Sequence, residues 1–205
     1  MPSPTLTANP SNATMGVFYA ASAFFIWGLS PMYWKALASV PAFEILMHRM
    51  IWSFAFLMPM VLFQGHLSDL MAALTSGRTI LILLVTTLLV ACNWFLFIWA
   101  INSGHILQTS LGYYINPLVN VLLGFVFLKE RLRRLQGVAV GLAAVGVTYL
   151  TISYGQFPWV SLALAFSFGL YGLVRKVAPV SALVGLTLET FLLSIPAAAY
   201  LVYID

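Results

Sequence analysis

Charged side chains are scarce in this sequence, and a few of them stand inside long apolar stretches. Glu44 and His48 are four apart, Arg49 follows directly, and Glu189 lies near the far end. At that spacing Glu44 and His48 share one helix face, with Arg49 about 100° round. A charge at the centre of a membrane helix costs roughly 2.5–3.5 kcal/mol on insertion scales, so Arg49 must face a cavity or an ion-pair partner. Glu189 is the other deeply placed charge. It either pairs with Arg49, binds a solute, or titrates in a proton-coupled cycle. Glu44, nearer a segment end, either joins His48 in such a cycle, reaches for water, or pairs with Lys35.

Aromatic and amide side chains surround these charges. Trp27, Trp94, Tyr113, Tyr114 and Tyr171 stand where they can wall a cavity, whereas Trp99 and Trp159, near segment ends, read as interfacial anchors. Asn93 puts a polar group mid-segment, for a ligand or for a bond to another helix. Asn116 and Asn120 follow at helical spacing on one face. Pro31, preceded by Gly28, cannot bond to the carbonyl of Trp27, and Pro117 leaves that of Tyr113 free. Helix breaks at Gly28–Pro31 and at Pro117 would free these carbonyls to line a cavity, or would serve packing alone. Gly137 and Gly141 form a G-x-x-x-G pair suited to helix packing.

Several chemistries lack their residues. The chain has no phosphate-binding P-loop, no H-E-x-x-H and no G-x-S-x-G. Its aspartates are Asp69 and Asp205, both outside the apolar segments, so no intramembrane aspartate pair exists. The last apolar segment has no lysine for a retinal-type Schiff base. An intramembrane enzyme and a seven-helix receptor are therefore the weaker readings. Neither a cofactor nor a metal is expected, and the lone Cys92 reads as a small apolar filler.

The elements that position these residues follow from composition. Hydrophobic residues make up 62% of the 205 positions and charged ones 7%, with a mean hydropathy of +0.99. So few charges cannot cover a water-facing surface, which leaves the lipid bilayer as solvent. The long apolar runs demand helices rather than barrel strands. A crossing helix needs roughly 20 apolar residues, and seven segments qualify as transmembrane helices: about 16–36, 43–63, 79–101, 106–128, 135–153, 158–175 and 183–203. Loop chemistry at Asn102–His105 and Ser153–Pro158 separates neighbouring segments. His66 to Thr79, with Asp69 and Arg78, is too polar to insert and predicts a short surface helix.

With the N-terminus inside, the cytoplasmic loops hold Arg78, Lys129, Arg131, Arg133, Arg134, Arg175 and Lys176, against Lys35 outside. That bias predicts a multi-pass protein of the cytoplasmic membrane with a cytoplasmic N-terminus. It also accounts for the net charge of +4 without nucleic acid. Phe25, Gly28, Leu29 and Lys35 recur in the same spacing as Phe166, Gly169, Leu170 and Lys176. The second copy falls five segments after the first, so the two cross in opposite directions, as in inverted-repeat transporters. The expected organisation is a disordered tail over 1–14, a five-helix repeat over 15–153, and the start of a second repeat over 154–205.

Trp27-Gly28, the Glu44…His48-Arg49 run and Tyr113-Tyr114-Ile115-Asn116-Pro117-Leu118-Val119-Asn120 carry a resemblance. It continues through Phe127-Leu128-Lys129-Glu130-Arg131-Leu132, Gln136 to Leu142 and Ser167 to Gly172. The chain resembles the RarD-type permeases of the EamA family, within the drug/metabolite transporter superfamily, from Met15 to Asp205. The resemblance implies ten helices in two inverted halves, cytoplasmic termini and a central cavity for a small molecule. Seven helices of ten imply either three more after Asp205 or a homodimer in which two partial copies complete one cavity. The expected activity is secondary transport of a small polar or amphipathic metabolite or drug.

Overall fold

The computed structural model describes residues 10–132 and 134–204. Among them the chain is helical throughout: α1 (Pro10–Ala36), α2 (Ala42–Phe63), α3 (Leu67–Thr75), α4 (Gly77–Asn102), α5 (Ile106–Leu128), α6 (Arg134–Tyr154), α7 (Trp159–Lys176) and α8 (Ala182–Ile204). Residues 1–9 of the expected tail, and Arg133 of the basic loop, lie outside the described residues.

Local chemistry sets the boundaries. The two breaks read from loop composition contain Gly104 at φ 83° and Gly155 at φ 68°, left-handed conformations that glycine adopts without steric cost. Gly65 at φ 74° turns α2 into α3. The Ser76 hydroxyl accepts from the amide of Thr79 at the start of α4. The short helix expected between His66 and Thr79 is α3. It buries Leu70 and Ala73 against Val61 and Leu83 and presents Asp69 outward, 2.9 Å from His66 Nδ1.

Among the described residues, six helices are long and apolar enough to cross a bilayer: α1 from Thr14, α2, α4, α5, α6 and α8. The expected count of seven is thereby corrected. The segment expected at 158–175 is present as α7, but it runs for 18 residues and ends on Arg175 and Lys176, so its apolar part falls short of about 20 residues. The proline sites do not end their helices. α1 continues through Gly28 and Pro31, and α5 through Pro117. Each proline removes one ladder bond, but the flanking turns keep theirs.

α4 is the hub of the bundle, touching α1, α2, α3, α5, α7 and α8. The most extensive pairings are α5 with α7 and α2 with α8. Ile45, Leu46, Met47 and Met50 of α2 pack with Ile98 of α4 and Ala197 of α8. Leu111, Ile115, Val119 and Leu123 of α5 pack on Ala165 of α7. Backbone approach at the α5–α7 crossing depends on glycine. A Cβ at Gly112 would stand 3.2 Å from the Ser161 carbonyl oxygen, and one at Gly169 would stand 2.9 Å from Val119.

Outward faces are apolar. Phe24, Phe25 and Ile26 of α1 and Leu135, Leu142 and Val145 of α6 are each more than two-thirds exposed. So much exposed apolar surface suits lipid and not water. The chain is an all-α, multi-pass integral membrane protein.

Candidate functional site

Among the described residues, two places bring a charged side chain between the helices. The first is built on Arg49, one residue before the fully buried Met50 of α2. Its guanidinium carbon lies 3.9 Å from the centre of the Trp94 ring of α4 and 5.4 Å from that of Trp34 of α1. Tyr113 of α5 stands within electrostatic range of Arg49. The Tyr113 ring meets Phe97 of α4 edge-on at 5.8 Å and Trp27 of α1 at 6.4 Å. Four helices thus bring one cation and a ring of aromatic faces to a single place. A guanidinium over an indole gains about 2 kcal/mol or more when desolvated, which offsets part of the cost of placing it there.

The second place is built on Glu189 of α8, which is 0% exposed. Its carboxylate accepts from Thr86 Oγ1 of α4 at 2.6 Å and from the Tyr171 hydroxyl of α7 at 3.1 Å. Arg175 Nε lies 3.7 Å away. Arg175 in turn donates through Nη2 to the carbonyl oxygens of Ser181 and Ala182, at 3.0 and 3.4 Å. Its guanidinium lies where a Cβ on Gly185 would otherwise stand. A buried carboxylate needs this many donors, since the low dielectric makes any missing one costly.

The structure therefore gathers Trp27, Arg49, Trp94 and Tyr113 of the expected cavity residues, and joins Tyr171 to Glu189 instead. Of the roles left open to Arg49 and Glu189, mutual pairing is not the one the structure shows: Arg175 pairs with Glu189, and Arg49 has no carboxylate partner among the described residues. Asn93 takes the structural one of its two roles, donating to the Leu164 carbonyl at 3.0 Å and to Ser167 Oγ at 2.9 Å across to α7. Tyr114 points away, into a groove of about 360 Å³ shared with Leu150 and Tyr154 of α6.

Asn116 lies on the Tyr113 face of α5 one turn on, with Oδ1 buried and unpaired. Asn120 is exposed, with Oδ1 near Gly169 of α7. Glu44 and exposed His48 form no ion pair or hydrogen bond among the described residues, with Lys35 or with each other. Gly28 stands in open space.

Sequence reasoning missed Arg175, Thr86, Trp34 and Phe97. Arg175 was legible in principle, since it stands four residues after Tyr171 on the same face of α7. A further clamp also escaped it. Gln108 of α5 holds the start of α7 through the amide of Val160 at 3.2 Å and Ser161 Oγ at 2.6 Å, while its Nε2 donates to the Tyr154 hydroxyl at 3.1 Å.

Comparison with known proteins adds a lineage. Residues 14–152 match the EamA-like transporter family. The chain is 49% identical over 191 residues to the uncharacterized transporter YojE of Bacillus subtilis, covering 92% of this chain and 64% of that protein. It is 48% identical over 199 residues to an uncharacterized transporter of Vibrio cholerae, covering 97% and 66% respectively. Against protein RarD of Escherichia coli it is 48% identical over 186 residues, covering 91% and 63%. The chain thus spans about two-thirds of the length of these relatives. No solved structure matches it.

Proposed function

The chain belongs to the EamA-like transporter family, in its RarD-type branch, and on that premise we propose that it takes part in secondary transport. The cargo in this reading is a small polar or amphipathic metabolite or drug, crossing the cytoplasmic membrane by alternating access. The observation that carries the reading is the meeting of Trp27, Arg49, Trp94 and Tyr113 from four helices, with Trp27 and Tyr113 left nearly half exposed beside the half-buried Arg49. A cation kept at that depth beside accessible aromatic faces suits a solute with both polar and apolar parts. Glu189, with Tyr171 and Arg175, supplies a second charged element that a proton or ion gradient can act on. One relative, from Pseudomonas aeruginosa and 32% identical, is called chloramphenicol-sensitive protein RarD, which makes chloramphenicol a reasonable first solute.

Alternating access in this family reading pairs two inverted repeats, 15–153 and the segment beginning at 154. The extensive packing of α2 on α8 supports that pairing, since the repeat spacing makes them counterparts. The basic residues after α5 support a cytoplasmic N-terminus.

The test is flux in proteoliposomes of the full-length protein, using radiolabelled chloramphenicol and a panel of small metabolites. Flux above that of protein-free vesicles is expected, and it should fall in Arg49→Ala, Glu189→Gln and Asn116→Ala. If all three variants keep the wild-type rate, the proposed site is wrong.

A further inference from the structure

Among the described residues the bundle holds two inward-turned arginines, Arg49 and Arg175, and the protein treats them differently. Arg175 is answered by the chain itself, through Glu189 and two backbone carbonyls. Arg49 is not. It meets aromatic faces at Trp94 and Trp34, and no carboxylate, carbonyl or hydroxyl among the described residues accepts a hydrogen bond from it. The carboxylates that could have served are engaged elsewhere or out of range: Glu189 by Thr86, Tyr171 and Arg175, Glu130 by Lys176. Nor are the Arg49 nitrogens sealed off, as Arg175 Nη1 is.

Ring faces satisfy the face of a guanidinium and leave its N–H groups, which lie in the plane, without acceptors. A planar fork of that kind matches two oxygens of a carboxylate in a bidentate pair. Arg49 is the one cation among the residues gathered at this place, so it balances a single negative charge. Trp27, Phe97 and Tyr113 continue from it as an apolar, aromatic wall.

We infer that the Arg49 site takes a monocarboxylate with a flat apolar body, the carboxylate on the guanidinium edge and the body along Tyr113 and Trp27. This rests on the transport reading for its physiological sense, but binding can be measured without flux. Trp94 and Trp34 lie against the guanidinium, so tryptophan fluorescence of the purified full chain in nanodiscs should report occupancy. The probes are benzoate, its neutral isostere benzamide, and benzylammonium.

Benzoate is expected to saturate with an affinity at least tenfold above that of benzamide, and benzylammonium to be rejected. Arg49→Gln should bring benzoate down to the level of benzamide, while Arg49→Lys should retain part of the preference. Equal binding of benzoate and benzamide by the wild type, or no binding of either, overturns the assignment without any variant. So does a benzoate preference that survives in Arg49→Gln. Benzoate binding with no flux of any solute would count against transport and leave the site standing. Flux of a neutral or cationic solute that benzoate does not inhibit would do the reverse.

Discussion

Gly185→Ala tests the second polar site through a residue that carries no functional group. The Arg175 guanidinium occupies the space of the missing Cβ, so an added methyl must push it out. Because the end of an arginine is flexible, the cost is not a rigid clash but the loss of what the guanidinium was doing. It would leave the carboxylate of Glu189 and the carbonyls of Ser181 and Ala182. Breaking a buried pair by removing one partner costs about 3–5 kcal/mol. The low end applies, since Glu189 keeps Thr86 and Tyr171 as donors and can take up a proton. Gly185 lies in the first turn of α8, where alanine regains less than the roughly 1 kcal/mol of an interior position.

The net expectation is a destabilisation of about 2–3 kcal/mol, roughly 30- to 150-fold in the unfolding equilibrium. Equilibrium unfolding in mixed micelles would measure it, with Arg175→Gln completing a double-mutant cycle. In the Arg175→Gln background the same alanine should cost less than about 0.5 kcal/mol, because the residue it displaces is gone. Equal costs in both backgrounds would refute the reasoning, as would a Gly185→Ala protein as stable as the wild type.

Gly112→Val should destabilise the protein by about 1–3 kcal/mol through overpacking, because the Ser161 backbone that it meets at 3.2 Å cannot rotate away; thermal melting in detergent would check this, and an unchanged or raised midpoint would count against the crossing. Glu130→Gln, which removes the exposed partner of Lys176, should shift stability by no more than about 1 kcal/mol, and a larger loss in the same assay would mean the pair does more than its exposure allows.

The helices were legible because lipid leaves few alternatives to a long apolar run, and the loops at Asn102–His105 and Ser153–Pro158 carried their own glycines. The missing donors at Pro31 and Pro117 were legible in the sequence, while the surrounding turns that carry each helix across them were not. Arg49 and Trp94 were recognisable as a cation and an aromatic at depth. The partner of Glu189 was not, since repeat register pointed to Arg49. The true partner reaches back from the end of α7 through space that exists only because residue 185 is glycine. Tyr113 and Tyr114 are neighbours in sequence, yet about 100° of rotation sends one toward Arg49 and the other toward α6. Only packing decides which.

The α5–α7 crossing has a mechanical consequence. Glycine contacts and the Gln108 clamp fasten α5 to α7, and Asn93 ties α7 to α4, so these three helices form one stiff plate. α2 and α8, packed along each other, form a second. Arg49 against Trp94, and Glu189 against Thr86, Tyr171 and Arg175, are latches that straddle the joint between the plates. A plate that rocks on the other must therefore strain or open at least one of these latches.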